Sequence, residues 1–284
     1  MPETERDEWI FCGIWLKHTD NCMGVPGNCR GKAGCEKGNG LIMSLQIEGY
    51  LYETHLHTSE GSACATASGA EMARAYAKAG YTGIIVTDHF FYGNTAADRS
   101  LPWGEWVEKY CLGFEHAKEE GEKLGLQVFF GWESCYSGTE FLVYGPDRQW
   151  LLEHPEIRDA SVKEQLELVH EAGGIVVQAH PYREASYIEE IRLFPQYSDA
   201  VEGINASHSS LAKRSLRHPE YNDRAVAYAR EHGLPLTAGS DQHNADMVWG
   251  GMVFSRRLTD IRDFNRAVLG SEAVRLLDGT EDPD

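Results

Sequence analysis

The sequence predicts an α/β fold in which a mostly parallel sheet closes into a barrel. Segments with strand and helix character alternate from residue 45 onward. Short β-branched runs, such as residues 83–87, are typical of strands buried inside a parallel sheet. The alternation continues for roughly 230 residues, a length that suits a closed barrel. The number of strands stays open by about one or two, because sequence patterns define element ends poorly.

The elements follow one another in a regular order. The first strand is predicted within residues 45–56, and a helix over residues 69–79 ends at Gly80. A capping box formed by Ser161 and Glu164 marks the start of a later helix. The remaining strands are predicted at residues 83–87, 127–131, 140–144, 174–179, 200–205 and 234–238, and the remaining helices at residues 103–124, 161–172, 222–232 and 259–269.

The chain divides into an N-terminal extension, residues 1–42, and a barrel domain, residues 43–284. The extension is rich in glycine over residues 24–40 and holds four of the seven cysteines, Cys12, Cys22, Cys29 and Cys35. It contains no Cys-x-x-Cys pair, so its spacing does not indicate a structural zinc site. We expect an irregular segment there, and Met43 directly precedes the patterned region.

Composition limits the classes of partner. The formal net charge of −18 opposes binding to duplex nucleic acid, whose backbone is also negative. A small anionic substrate is still allowed, because bound divalent metals would reverse the local field. Residues 1–9 lack the apolar core of a signal peptide, and no apolar run has the length of a membrane span. We therefore expect a cytoplasmic protein with no membrane partner; the oligomeric state is not predicted.

Polar residues follow or end five of the predicted strands. Because parallel strands present their C-terminal ends at one face of a barrel, these side chains are expected to converge. In a strand, residues two apart point to the same side, so both members of a His-x-His pair can reach one metal. Imidazole and carboxylate ligands together suit Zn, Mn or Fe. The residues concerned are His55, His57, Asp88, His89, Glu133, His180, Asp241 and His243.

These motifs resemble, in composition and order, those of the PHP (polymerase and histidinol phosphatase) family. The matching motifs are HLHT at residues 55–58, TDH at 87–89, GWE at 131–133, AHP at 179–181 and GSDQH at 239–243. The stretch from Asn222 to Gly239 also looks like the last unit of that family, and the resemblance covers about residues 50–270. It implies a distorted (β/α)7 barrel, a centre of two or three divalent metal ions, and phosphoesterase activity on small phosphate monoesters.

The resemblance also implies a role for each residue. His55, His57, Glu133 and Asp241 would bind one metal, with Glu133 bridging to a neighbour, and His89, His180 and His243 would bind the others. Asp88 is expected to orient a histidine rather than to bind metal.

Two departures from the family pattern leave the third metal open. In the family a His or Asp often follows the His-x-His-Thr motif, but this chain has Glu60-Gly61-Ser62-Ala63-Cys64 at that point. Gly145-Pro146 stands where another histidine is often found in the family. Glu60, Cys64 and His208 are alternative ligands.

The expected reaction is hydrolysis of a small phosphate monoester, histidinol-phosphatase-like or nucleotidase-like, by a hydroxide that bridges two metals. Glu133, Asp241 and His243 are the expected catalytic residues, and Asp241 or a nearby histidine would protonate the leaving group. Arg183, three residues after His180, is the expected phosphate-binding residue, because a guanidinium matches phosphate geometry. Arg99, Lys213 and Arg214 are weaker candidates.

Two other functions fit part of the sequence pattern. An amidohydrolase-type enzyme also places His-x-His and later His and Asp residues at strand ends, but its metals are often bridged by a carboxylated lysine. No lysine lies between Lys123 and Lys163, and Glu133 occupies the bridging position. A non-catalytic metal-binding module is the second alternative, and the nearly full ligand set argues against it. The sequence leaves the substrate itself open.

Overall fold

The computed structural model describes residues 48–210, 218–246 and 249–280, and these residues form an α/β protein around a barrel-like sheet. The predicted fold class is confirmed. The strands among the described residues are β1 (Tyr50–Leu56), β2 (Gly83–Val86), β3 (Gln127–Tyr136), β4 (Thr139–Tyr144), β5 (Ile175–Gln178), β6 (Ala200–Asn205), β7 (Leu236–Gly239), β8 (Gly250–Phe254) and β9 (Ala273–Asp278).

The order of strands in the sheet is β7-β6-β5-β4-β3-β2-β1-β8-β9. Strands β1 to β7 follow one another in sequence order and form the wall of the barrel. Strand β8 pairs antiparallel with the beginning of β1, and β9 pairs antiparallel with β8. The described part of the sheet therefore has nine strands, so a count of seven β/α units is not confirmed.

The two ends of the barrel wall meet where β1 passes the chain that follows β7. The backbone N–H of His57 donates to the carbonyl of Gln242 at 2.8 Å, and the Thr54 hydroxyl donates to the carbonyl of Ala238 at 2.8 Å. The buried Glu53 carboxylate adds a second link, because it accepts hydrogen bonds from the backbone N–H groups of His55 and Ser240, both at 2.9 Å. These bonds fix the spacing between the two ligand pairs that the sequence predicts.

Strand β4 is antiparallel to both of its neighbours, which corrects the expectation of a regular parallel repeat. No helix separates it from β3; residues Ser137 and Gly138 join the two strands with positive φ angles of 48° and 85°. Such a turn matches the twist of a hairpin. As a result β4 begins, rather than ends, at the face where the parallel strands end.

The helices are α1 (Gly69–Lys78), α2 (Trp103–Tyr110), α3 (Leu112–Leu124), α4 (Arg148–Glu153), α5 (Val162–Glu171), α6 (Ala206–Ser209), α7 (Glu220–His232) and α8 (Ile261–Leu269). The capping box predicted for α5 is present, with Ser161 as N-cap. Gly233 ends α7 in the left-handed conformation, as expected.

The helical stretch predicted at residues 103–124 is helical, but it is interrupted at Cys111 and forms two helices, α2 and α3. After the break, α3 comes close to the end of the barrel that holds the site, and glycine residues make this close approach possible. A Cβ on Gly113 would lie 1.9 Å from the Thr58 hydroxyl, and one on Gly69 of α1 would lie 1.9 Å from the carbonyl of Gly113. Helix α3 therefore packs against α1 and the loop after β1 at a distance that a side chain would prevent.

The core lies on both sides of the barrel wall. Inside, Tyr52, Leu142, Val177 and Met252 are buried with the apolar face of α8. Outside, aromatic residues of α2 pack against β3 and β4, with Trp106 and Trp132 fully buried. Among the described residues, no helix combines the length and apolar character needed to cross a bilayer. The predicted extension, residues 1–42, lies outside the described residues.

Candidate metal centre

The seven metal ligands predicted from sequence meet at one end of the barrel. His55 and His57 lie at and just after the end of β1, His89 follows β2, and His180 follows β5. Asp241 and His243 follow β7. The residues fall into overlapping groups whose ligand atoms lie within 4.8 Å of one another. The groups are His57, His89 and His243; His55, His57 and Glu133; His55, His180 and Asp241; and His89, Glu133 and Glu140.

The Glu133 carboxylate lies at the centre of this cluster. It does not follow β3, as expected, but lies within it, because pairing with β4 extends the strand to Tyr136. Its Oε1 lies 3.2 Å from His55 Nε2 and 3.1 Å from His180 Nε2, while Oε2 lies 2.7 Å from His89 Nδ1. Burial acts to raise the pKa of Glu133, but the charge of His55 and hydrogen bonds from His180 and His55 bring it well below its usual value. Glu133 is thus an ionised carboxylate held among imidazoles.

Hydrogen bonds behind two of the histidines fix which nitrogen faces the cluster. The Nδ1 of His55 lies 2.8 Å from the Glu202 carboxylate, which can only accept, so this nitrogen carries a proton. The Nδ1 of His57 lies 3.0 Å from the Ser62 hydroxyl, which already donates to Asp88 at 2.7 Å. His57 must therefore donate to Ser62. Both Nε2 atoms are left facing the cluster, and they lie only 3.1 Å apart.

His243 is oriented in the same way. Its Nδ1 lies 2.9 Å from the carbonyl oxygen of Asp241, which again can only accept. Its ring stacks on that of His57, with centroids 4.2 Å apart. His243 has 26% of its side chain exposed, more than any other of the seven predicted ligands; His89 follows with 11%.

The donor set fits bound cations on three observations. The Nε2 atoms of His55 and His57 face each other at a distance where two lone pairs repel, unless a proton or a metal ion lies between them. His89 Nδ1 and Glu133 Oε2 are buried and close, yet their orientation forms no hydrogen bond. Burial acts to lower the pKa of His55, but the carboxylates of Glu202, Asp241 and Glu133 raise it well above its usual value. The cluster therefore attracts positive charge.

Asp88 does not face the cluster. Its Oδ1 accepts hydrogen bonds from the Thr58 backbone at 2.6 Å and from Ser62 at 2.7 Å, and Oδ2 accepts from the Thr58 hydroxyl at 2.6 Å. Through Ser62 it orients His57, which is the supporting role expected from the sequence.

Asp241 and Arg183 form a buried ion pair through Oδ2 and Nη2. The other carboxylate oxygen of Asp241 lies 3.1 Å from His57 Nε2. Burial acts to raise the pKa of Asp241, but the charges of Arg183 and His55 bring it well below its usual value. Asp241 therefore carries a negative charge beside the histidines, as a cation ligand would. Asp241 and His180 both have positive φ angles, of 54° and 25°, a strained backbone that is frequent at functional sites.

Three residues of the site were missed from the sequence. Glu140, at the start of β4, lies with its Oε2 3.5 Å from His180 Nε2. Glu202 in β6 orients His55 and also accepts the backbone N–H of His180 at 3.0 Å. Ser62 connects His57 to Asp88. The Ser137-Gly138 pair was the available signal for Glu140, because it indicates a hairpin.

The alternative ligands for a third metal are placed differently from one another. Glu60 turns away and accepts the Gly69 N–H at 3.0 Å. His208 is occupied by Arg183 and Asn222. Cys64 lies beside His243 and His89: burial acts to raise the pKa of its thiol, but hydrogen bonds with these histidines bring it to about 6. Of the three, only Cys64 lies against the cluster.

The other predicted positions lie away from the cluster or outside the described residues. Gly145 and Pro146 follow the end of β4, so they lie at the opposite end of the barrel, which is why no ligand stands there. Arg99 donates to the carbonyl oxygens of Phe91 and Gly93 and holds a loop. Lys213 and Arg214 lie outside the described residues.

Comparisons with known proteins add independent information. Residues 219–269, which carry Asp241 and His243, match the family model PHP_C, described as PHP-associated. A two-domain protein from Bacteroides vulgatus, described as containing a predicted PHP-like metal-dependent phosphoesterase, is 14% identical with a TM-score of 0.58; the match covers 84% of this chain and 68% of that one. PsfC from Pseudomonas syringae is 17% identical with a TM-score of 0.52, over 77% of this chain and 88% of its own. At these identities the structures support the fold. No curated protein matches the sequence.

Proposed function

We propose that the chain, whose residues 219–269 match a PHP-associated family model, is a member of the PHP family and a metal-dependent phosphoesterase that hydrolyses a small phosphate monoester. The observation that carries the proposal is the convergence of His55, His57, Glu133 and Asp241, with the two Nε2 atoms 3.1 Å apart. A cluster of this kind, buried at the C-terminal end of a barrel, is where such enzymes place their chemistry. The Bacteroides vulgatus neighbour, with its PHP-like phosphoesterase description, supports the same reaction class.

The proposed ligand sets follow the groups seen in the structure. His55, His57, Glu133 and Asp241 would hold one ion, while His89, His180 and His243 would serve its neighbours, with Glu133 shared. Glu140 joins this proposal because it groups with His89 and Glu133. Mixed imidazole and carboxylate ligands suit Zn, Mn or Fe, in two or three positions. When bound, divalent ions supply the Lewis acidity that activates water and neutralises phosphate charge.

The chain's own residues bind and orient the substrate. A cleft beside the cluster is lined by Glu140, His180, Arg183 and Arg192. Arg183 lies at the junction of cleft and cluster, with its guanidinium held by Asp241 on one side. A phosphate in the cleft would meet this fixed positive charge, which orients the ester without the entropy cost of ordering a flexible arginine. Glu133 and Asp241 keep their negative charges to hold cations in place.

The test is an activity screen with the full chain. Separate samples loaded with Zn, Mn or Fe would be assayed for phosphate release from p-nitrophenyl phosphate, nucleoside monophosphates, histidinol phosphate and phosphotyrosine. Amide and lactone substrates in the same panel cover amidohydrolase chemistry. The matched control is Asp241→Asn, prepared in parallel, because it keeps the shape of the ligand and removes its charge. We expect metal-dependent phosphate release by the unchanged protein alone.

Equal phosphate release by the unchanged protein and Asp241→Asn would reject the proposal. Turnover confined to the amide or lactone substrates would point to the amidohydrolase class. Stoichiometric metal binding without any turnover would point to a non-catalytic metal-binding module.

A further inference from the structure

His208 lies behind Arg183 and is not used by the proposed metal centre. It sits on the single turn of α6 and is 1% exposed. Its Nε2 lies 3.3 Å from Arg183 Nε, and its Nδ1 lies 3.2 Å from Asn222 Oδ1. A buried histidine with both ring nitrogens in contact with named partners has a defined orientation, so its role can be read from those partners.

The hydrogen positions in the contacts from Arg183 through His208 to Asn222 follow from the chemistry of these side chains. Arginine Nε always carries a hydrogen, so it donates, and His208 Nε2 must accept. In neutral imidazole the other nitrogen then carries the hydrogen, so Nδ1 donates to Asn222 Oδ1. The relay therefore runs in one direction, from Arg183 through His208 to Asn222.

Asn222 is itself fixed by the backbone. Its Nδ2 donates to the carbonyl of Asn205 at 3.1 Å and to the Ser209 hydroxyl at 3.0 Å, while its Oδ1 accepts the Asn205 N–H at 3.0 Å. These contacts leave only one orientation of the amide group, with the oxygen toward His208. The orientation of the imidazole is thus anchored to the junction of β6 and α6.

The charge of the acceptor matters for a residue that binds an anion. A carboxylate behind Arg183 would hold the guanidinium equally well but would cancel part of its charge. The Asp241 carboxylate, paired with Arg183 Nη2, already cancels part of the positive charge of the guanidinium. A neutral imidazole at Nε fixes the plane of the guanidinium and leaves its remaining positive charge for the substrate.

From this geometry we infer that His208 is a positioning residue, which holds Arg183 in the orientation that binds the phosphate group of the substrate. The inference rests on the proposed function only in the identity of the ligand, a phosphate group. Burial and the nearby charge of Arg183 bring the pKa of His208 to about 2, in agreement with a neutral ring.

The test compares His208→Phe with His208→Gln in the metal-loaded full chain. Phenylalanine keeps the bulk and removes the acceptor, whereas glutamine can accept from Arg183 and donate to Asn222. We expect His208→Phe to raise KM, and the dissociation constant of inorganic phosphate, by about tenfold, the size of a lost charged hydrogen bond. Its kcat should change by less than about threefold, since the relay contacts no reacting atom. His208→Gln should stay within about threefold of the unchanged protein in all three constants, because the relay is preserved.

A double-mutant cycle with Arg183→Ala separates positioning from a general structural effect. In the Arg183→Ala background, His208→Phe should have no further effect on phosphate binding, because the group that it orients is absent. An equal loss in both backgrounds, or a glutamine variant as weak as the phenylalanine variant, would overturn the inference.

Phosphate binding is measured by calorimetry without turnover, so it tests His208 separately from the reaction. A chain that binds phosphate but hydrolyses none of the esters would reject the proposed function and leave the inference standing. A metal-loaded, unchanged chain that binds no phosphate would reject the inference itself.

Discussion

Replacement of Glu133 by glutamine is the sharpest test of the proposed centre. The substitution keeps the shape of the side chain and removes one negative charge from among four imidazoles. The nearest nitrogens, those of His89, His180 and His55, lie 2.7, 3.1 and 3.2 Å from its oxygens. One amide NH₂ also replaces an acceptor oxygen, so a donor then faces groups that should bind a cation.

The distances set the size of the effect. Two unit charges about 3 Å apart interact by roughly 5 kcal/mol at an effective dielectric constant near 20. Roughly half of this remains if the glutamine dipole and local rearrangement compensate for the rest, which corresponds to about a hundredfold in turnover. We therefore expect Glu133→Gln to lose at least one metal equivalent and to lower kcat about a hundredfold or more.

The assay is metal analysis after gel filtration, together with kcat at saturating substrate. The matched control is Glu167→Gln, the same substitution on the exposed face of α5, which should change neither quantity. Far-UV circular dichroism of metal-free samples should show the same secondary structure, because Glu133 contributes no apolar contact to the core. Full metal content with near-normal turnover would refute the bridging role of Glu133. The centre would then have to be built around Glu140, since Glu60 and Asp88 point elsewhere.

Three further outcomes are expected. The chain should bind at least two transition-metal equivalents, because its donor groups exceed what one ion needs; elemental analysis showing fewer than about one equivalent, after Mn or Zn supplementation, would count against the centre. A chain beginning at Met43 should keep its melting temperature, metals and turnover, and loss of metal would mean that residues 1–42 take part in the site. Gly113→Ala should lower the free energy of unfolding by about 1–3 kcal/mol in urea denaturation, because its Cβ would meet the Thr58 hydroxyl at 1.9 Å. Gly104→Ala is the matched control; its Cβ has no neighbour closer than 3.9 Å, so a gain of up to about 1 kcal/mol is expected, and equal responses would contradict the packing argument.

The sequence predicted the features that depend on local patterns. Apolar runs followed by His, Asp or Glu were enough to place His55, His89 and His180 near the ends of strands. Because parallel strands end at one face, their convergence followed without any knowledge of pairing. The capping box at Ser161 and the helix end at Gly233 were predicted for the same reason: each depends on residues that are neighbours in the sequence.

What the sequence did not predict depends on pairing and burial. The residues of β4 form an apolar run that suits either strand direction, and only the turn before it sets the direction. The sequence pattern therefore placed Glu140 at the N-terminal end of a parallel strand, away from the predicted site. Glu202 lies inside β6, where a fully buried carboxylate is rare, so its role became visible only with His55 at 2.8 Å. The break at Cys111 accompanies the close approach of Gly113 to the loop after β1, a contact that no local pattern encodes.

The place where the two ends of the barrel wall meet, between β1 and the chain that follows β7, is here called the seam, and it has a consequence for the order of folding. His55 and His57 lie near the start of the barrel, whereas Asp241 and His243 come after its last wall strand, so most of the domain separates them in sequence. The pairs become neighbours only when the seam closes through Gln242 and Glu53. Loop closure over such a distance is slow compared with local pairing. The cation-binding residues of a folding chain would therefore come together last. An ion bound by both pairs would hold the two ends of the barrel wall together, so that loss of the ion would also destabilise the barrel.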